Sequence, residues 1–151
     1  MTRIHEGLWR WSVTTGGVEL ASAYLEHGDV MLLVDPVLPP PGDDRERFRR
    51  AIARDLQRLG GPSHVLLTRA DDPRDSRAVA DLAGATIWTA GAPMPPGLRA
   101  EPTGDGQEVG LWSEVHAALM PGRSLPGPGS PLAALPARVV IPSVGPMPVA
   151  G

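Results

Sequence analysis

The period of the hydrophobic positions changes several times along the chain, and each change predicts a different element. Residues 8–13 and 18–26 alternate between apolar and polar positions, as in strands with one buried face. Residues 30–34 are continuously apolar, which indicates a strand covered on both faces. Over residues 44–59 the apolar side chains recur at helical spacing, so this segment is predicted to form an amphipathic helix.

The later part of the chain first alternates between strand and helix and then becomes mostly β-like. The proline- and glycine-rich residues 121–131 predict a surface loop, because proline lacks a backbone donor and fixes φ. This order favours an α/β (α+β) sandwich in a single domain, residues 1–151. The remaining predictions are strands over 65–67, 86–89, 98–100, 107–109, 111–119 and 138–141, a helix over 76–83 and a helical turn over 132–135.

The amino-acid composition indicates a folded globular protein but does not indicate an activity. Hydrophobic residues make up 42% of the 151 residues and charged residues 21%, which is typical of a folded globular chain. The net charge of −3 gives no electrostatic case for nucleic acid, and the absence of cysteine excludes disulfides and thiolate metal sites. All basic residues are arginine, as expected from a GC-rich bacterial genome. Without a bilayer-length apolar run or an apolar leader, no membrane partner is predicted and the expected location is the cytoplasm.

The segment with the most chemistry follows the predicted strand at 65–67. Residues 68–74 read Thr-Arg-Ala-Asp-Asp-Pro-Arg, and the predicted helix at 76–83 comes next. This strand–Thr–loop–helix resembles the metallo-β-lactamase superfamily, in which the loop reads Thr-His-x-His-x-Asp-His and holds one or two zinc or iron ions. The resemblance implies a β-sandwich flanked by helices.

Three further landmarks occur in the order that this family shows. The strand at 30–34 ends in Asp35-Pro36, and the helix at 44–59 leads into the strand before Thr68. Residues 114–123 are similar to the strand that ends in Pro-Gly-His, with Arg123 in place of the histidine. Residues 135–146 are similar to the closing strand and its Pro-x-His-Gly loop, with Val144 in place of the last ligand. The chain is short for the family, and the missing length falls between Arg123 and Leu132, where family members carry the metal-bridging carboxylate.

The substitutions at these positions argue against the family's metal chemistry. Zinc binds neutral imidazoles, thiolates and carboxylates, whereas a guanidinium is always protonated and has no acceptor. Arg69, Arg74 and Arg123 would also repel a divalent cation, and Val144 offers no lone pair. We therefore predict a truncated, metal-free domain with a degenerate site, a pseudoenzyme without catalytic residues.

The leading functional expectation is a binding, interaction or structural module. Arg69 and Arg74 are expected to take the role of the missing cation, paired with neighbouring aspartates, and the three guanidiniums together favour a small anionic ligand or an acidic partner. Trp9 and Trp11 point the same way on their strand, and loss of covering elements would expose apolar surface, so a homodimer is also expected. The predicted ligand-binding residues of the cleft are Arg69, Asp71, Asp72, Arg74, Asp75, Arg123 and Asp35.

The alternative is a metal-dependent hydrolase with an atypical, carboxylate-rich zinc site. It would use Asp35, Asp71, Asp72 or Asp75 together with a histidine that the fold brings near, and His116 is the first candidate for that histidine. The simpler reading of His116 is a core or surface position on a strand. The serines lack the Gly-x-Ser-x-Gly elbow of serine hydrolases.

Overall fold

Two β-sheets pack face to face in the computed structural model, which describes residues 1–88 and 91–148. The six-stranded sheet has the order β1-β2-β3-β4-β5-β6; its first four strands are antiparallel, and β4, β5 and β6 run parallel. Its strands are β1 Thr2–His5, β2 Leu8–Thr15, β3 Val18–His27, β4 Val30–Val34, β5 Ser63–Leu66 and β6 Thr86–Trp88. The helices are α1 Asp43–Leu59 and α2 Ser76–Ala83.

The second sheet has four strands in the order β10-β9-β8-β7. Strand β10 runs parallel to β9, and the other neighbours are antiparallel. The strands are β7 Arg99–Pro102, β8 Val109–Ser113, β9 Ala118–Met120 and β10 Val139–Val140, with a 3-10 turn at Pro131–Ala134 before β10.

The core has two main layers, one between the sheets and one between the first sheet and the helices. Strand β4 serves both, because Leu32 faces the second sheet while Leu33 packs toward α1 and α2. All five residues of β4 are buried, as its continuous apolar run predicts. Phe48 and Ile52 form the buried stripe of α1. On the outer face of the second sheet, Leu132 of the 3-10 turn covers a smaller third cluster.

The sequence predicts this α+β sandwich and most of its elements, with some differences in the strands. The predicted strand at 107–109 is not a separate element, because Gln107 lies in a turn and Val109 begins β8. Strand β1 is polar and lies at the sheet edge beside β2, so it lacks an apolar signal. The predicted strand at 111–119 is instead two strands, because the chain turns between them and Ala117 has a φ of 48°. The predicted strand at 86–89 ends within the described residues at Trp88, and Thr89 lies outside them.

Candidate functional site

The site begins where two parallel strands end side by side. Asp35 follows β4, and Thr68 stands shortly after the end of β5, the next strand in the sheet. The Asp35 carboxylate accepts hydrogen bonds from the Thr68 N–H at 2.9 Å and from the Thr68 hydroxyl at 2.6 Å. Asp35 also has a φ of 47°, a left-handed conformation that is uncommon for residues other than glycine. This carboxylate is therefore fixed between two strand ends rather than directed into an open cleft.

Burial raises the pKa of the Asp35 carboxyl above its ordinary value, because the side chain is withdrawn from solvent. The Thr68 hydrogen bonds and the positive charge of Arg74 oppose this rise without cancelling it. The folded protein therefore holds this proton at a pH where the unfolded chain has already released it.

We expect the substitution D35N to become progressively more favourable as the pH rises. Since the folded pKa of Asp35 is raised, the wild type loses stability as the pH increases from 3.8, the ordinary value, through the raised pKa. Asparagine does not ionise, tolerates positive φ and can still accept from the Thr68 N–H. Urea unfolding of both proteins at several pH values measures the difference, with D81N on the exposed face of α2 controlling for the lost charge. A difference independent of pH would contradict this account of Asp35.

Arg74 is the most buried cation of the site, with 3% of its side chain exposed. Its Nη1 donates to the carbonyl oxygens of Ala21 at 2.8 Å and Asp35 at 3.1 Å, and its Nη2 donates to that of Ser143 at 2.6 Å. These carbonyls belong to β3, the end of β4 and the C-terminal loop. One guanidinium thus joins three segments that are distant in the sequence, from a backbone held at a φ of 49°.

The countercharge of Arg74 comes from Asp72 rather than from the Asp35 side chain. The Arg74 Nε lies 3.5 Å from Asp72 Oδ2, and the same oxygen accepts a 2.9 Å hydrogen bond from Arg123 Nη2. Asp72 therefore stands between two guanidiniums. This confirms part of the expected pairing, in which aspartates of the loop balance Arg74.

Arg69 connects the loop at residues 68–75 to the β7–β8 loop. It holds Asp71 through two hydrogen bonds of 2.9 and 3.0 Å and donates to Asp105 Oδ2 at 3.0 Å. The Arg69 hydrogen bonds lower the pKa of the Asp71 carboxyl. The pKa of Asp105 is also lowered, first by the Gln107 N–H that its Oδ1 accepts and then by Arg69. Both carboxylates are therefore ionised at neutral pH.

Glu108 and Asp105 also belong to the site, although neither is among the cleft residues predicted from the sequence. Glu108 Oε2 accepts from the Arg123 N–H at 3.1 Å and lies 3.8 Å from Arg69 Nη1, and the Glu108 side chain is 6% exposed. The bridge between Arg69 and Glu108 brings the two loops together. The Gly-Asp-Gly turn around Asp105 is a weak sequence signal, and for Glu108 none exists without the strand register. We call the arginine network the set Arg69, Arg74, Arg123, Asp71, Asp72, Asp105 and Glu108.

Asp75, one of the four aspartates considered as partners for Arg69 or Arg74, lies outside this network. Its Oδ2 accepts a 2.7 Å hydrogen bond from the Leu38 N–H, and its own N–H donates to the Pro36 carbonyl. Asp75 therefore fixes the chain after β4 against the start of α2. Val144 forms an isolated bridge with Leu20, next to the segment that Arg74 holds.

His116 does not reach the carboxylates with which the alternative hypothesis groups it. Its Nε2 lies 2.7 Å from the Glu26 carbonyl, and its ring stacks on His5 with 5.0 Å between centroids. Glu26 is five residues along β3 from Ala21, the strand residue that Arg74 contacts, which corresponds to roughly 16 Å. The predicted combination of His116 with Asp35 or Asp72 is therefore not formed.

The donor set does not fit a zinc or iron ion. The carboxylates of Asp71, Asp72 and Asp35 already accept hydrogen bonds from Arg69, Arg123 and Thr68 respectively. The guanidinium of Arg74 lies among the carbonyls and acids of this region, where a second cation would be repelled. Across residues 1–88 and 91–148, no three His, Asp or Glu side chains are grouped so as to hold a metal ion.

Comparison with known proteins gives matches in structure only. No family model and no curated protein matches the sequence. An NDM_FIM-1 like metallo-β-lactamase from Erythrobacter litoralis, described in its mono-zinc form, is 19% identical with a TM-score of 0.63, over 97% of this chain and 88% of that one. Metallo-β-lactamase IND-7 is 14% identical with a TM-score of 0.57, over 95% and 88% of the two chains. A metallo-β-lactamase family protein from Thermus thermophilus is 15% identical with a TM-score of 0.55, over 96% and 75%.

These likenesses establish the architecture and not the chemistry. The three alignments cover at least 95% of this chain, with TM-scores between 0.55 and 0.63. At identities below one in five, a shared fold does not transfer an activity. The protein has the metallo-β-lactamase fold, with an arginine network around the loop at residues 68–75.

Proposed function

We propose that the protein is a non-catalytic binding or structural module in which the Arg74 guanidinium takes the place of a metal ion. The observation that carries this proposal is the set of three backbone carbonyls on one buried guanidinium. A guanidinium offers five N–H donors in a fixed plane and cannot be deprotonated, so it can join several acceptors as a permanent cation. It supplies no coordination position for water, and therefore no activated nucleophile.

The conformation of the loop supports a structural role for this cation. Arg74 and Asp35 both have positive φ values, and such strain persists only where surrounding interactions compensate for it. Here the compensation comes from the Arg74 donors and from the two Thr68 hydrogen bonds on Asp35. The loop therefore stays closed without an exogenous ion.

A small anion remains part of the proposal, and Arg123 is its most accessible contact. The Arg123 side chain is 49% exposed, whereas those of Arg69 and Arg74 are 17% and 3% exposed. Arg123 borders a depression of about 330 Å³ that Val18, Leu20 and Val144 also line. Because Asp72 lines the same depression and accepts from Arg123, an anion has to displace or share that hydrogen bond. We therefore expect weak binding, in the millimolar range, where the free energy is about −4 kcal/mol.

Thermal unfolding with added ions tests both parts of the proposal. Zinc and manganese are expected to leave the midpoint unchanged, and a chelator is expected to have no effect, because only a ligand that prefers the folded state raises stability. Phosphate is expected to raise the midpoint in the wild type and in R138A, an exposed matched control, but not in R123A. Stabilisation by zinc would contradict the metal-free proposal. Equal phosphate effects in all three proteins would remove the anion site.

The homodimer expected from the sequence also stays a proposal. The large exposed apolar side chains Val18, Val115 and Leu125 lie on separate segments, at the start of β3, in the β8–β9 turn and before the 3-10 turn. Light scattering on the purified protein decides the oligomeric state.

In the part of the chain that the structure describes, neither helix has the length and apolar character to cross a membrane.

A further inference from the structure

A second cavity is lined in part by Asp105 and Glu108 of the arginine network. It has a volume of about 520 Å³ and is lined by Leu67, Thr68, Ala70, Trp88 and residues 102–109. It therefore lies between the carboxyl ends of β5 and β6 and the β7–β8 loop. None of its lining residues borders the Arg123 depression. Its volume falls within the range of small-molecule sites.

The wall of this cavity is mostly apolar. Leu67, Trp88, Pro102 and Val109 supply hydrophobic surface, and Trp88 is held in place by a 3.0 Å hydrogen bond from its indole N–H to the Ala92 carbonyl. Trp88 is 6% exposed and lines this wall, and an indole can interact with a ligand ring or with a cation through its π-system. The cavity thus fits a compact apolar body, with a ring as its best complement.

The charged side chains that line the cavity are acidic. Its charged lining residues are Asp105 and Glu108, and no arginine lines it within the described residues. Arg69 neutralises Asp105 only in part, because the same guanidinium also holds Asp71 and lies 3.8 Å from Glu108. Of these three carboxylates, Asp71 is also near the Arg123 guanidinium. The lining of the cavity itself carries two acidic side chains and, within the described residues, no basic one. Each Asp105 oxygen accepts one hydrogen bond and has a further lone pair for a donor.

We propose that this cavity binds a small aromatic amine, with the ring against Trp88 and the ammonium at Asp105. The apolar wall selects the ring, and the acidic rim selects the positive charge and disfavours a carboxylate. This site does not depend on the anion site at Arg123 or on the metal-free character of the arginine network. A failure of either proposal therefore leaves the other intact.

Three probes that share a phenyl ring test the charge preference. We expect 2-phenylethylamine to bind about tenfold more tightly than 2-phenylethanol, and phenylacetate to bind more weakly than either, because the charge-assisted hydrogen bond is formed only by the amine. Nuclear magnetic resonance titration gives the dissociation constants and the location, through the Gly104 and Gly106 amides and the Trp88 indole. Equal affinities, or no shifts at these positions at about 10 mM probe, would overturn the proposal.

Two variants test the location and the charge separately. A70L places a larger side chain at the exposed edge of the cavity and is expected to weaken 2-phenylethylamine binding at least about tenfold, whereas A78L on the exposed face of α2 is the matched control. D105N keeps an acceptor for Gln107 and is expected to reduce the preference for amine over alcohol to about threefold or less. Unfolding midpoints confirm that each variant is folded. Wild-type binding by folded A70L, or an unchanged preference in D105N, would place the ligand elsewhere.

Discussion

Replacing Arg74 with methionine is expected to lower the free energy of unfolding by about 3 kcal/mol, which is roughly 10 °C in midpoint for a domain of this size. Methionine fills much of the volume but donates no hydrogen bond to the carbonyls of Ala21, Asp35 and Ser143. The loss stays moderate because two of these oxygens keep another donor. The Ser22 hydroxyl still reaches Asp35, and the Ala21 N–H still reaches Ser143. Asp72 additionally loses a cation.

The matched control is R77M, the same substitution three residues later on the exposed face of α2. We expect it to change stability by less than about 0.5 kcal/mol. R74K keeps the charge but lacks the planar fork, so an intermediate loss is expected. Chemical unfolding of the three variants measures the series. If R74M were no more destabilised than R77M, Arg74 would not hold the three segments together.

Replacing Gly122 with alanine is expected to cost about 3 kcal/mol, through two separable effects. Gly122 has a φ of +91°, which strains any residue with a Cβ. That Cβ would also lie 2.6 Å from Glu108 Oε2 and 2.7 Å from Oε1, so the buried carboxylate would have to move away from the Arg123 N–H. The glycine before Arg123 therefore makes room for the acid that fixes the Arg123 backbone.

Gly129 allows the cost of backbone strain to be measured without the cost of steric crowding. Gly129 has a φ of +83° and open space where its Cβ would stand, so G129A is expected to cost only about 1 kcal/mol. The double variant E108A/G122A removes the crowded carboxylate and is expected to be more stable than the sum of the single variants predicts. Additive single effects would show that Glu108 and Gly122 are not packed against each other.

The sequence predicts well the strand ends on which the site is built, because these strands follow from local hydrophobic patterns. The continuous apolar run before Asp35 and the short run before Thr68 place both residues at strand ends in the same sheet. The preference for arginine–aspartate pairing within residues 68–75 also follows from the sequence alone. The structure has Arg69 with Asp71 and Arg74 with Asp72, both pairs within that loop.

The sequence does not predict partners that only the folded chain brings together. The acceptors of Arg74 are main-chain carbonyls as far away as Ser143, and no side-chain pattern marks them. Glu108 reaches the site through the pairing of two loops, which depends on register. The turn at Ala117 contains neither glycine nor proline, so the apolar character of residues 111–119 conceals it. Such features require the tertiary contacts themselves.

The metal content of the purified protein tests the central claim, that a guanidinium now performs the structural task of an ion. Protein produced in medium supplemented with zinc and iron and purified without chelator is measured by plasma mass spectrometry. We expect far less than one transition-metal ion per chain, because the Arg74 guanidinium already pairs with Asp72 and the Ser143 carbonyl and would repel a second cation. One zinc or iron ion per chain, retained through dialysis, would contradict the account.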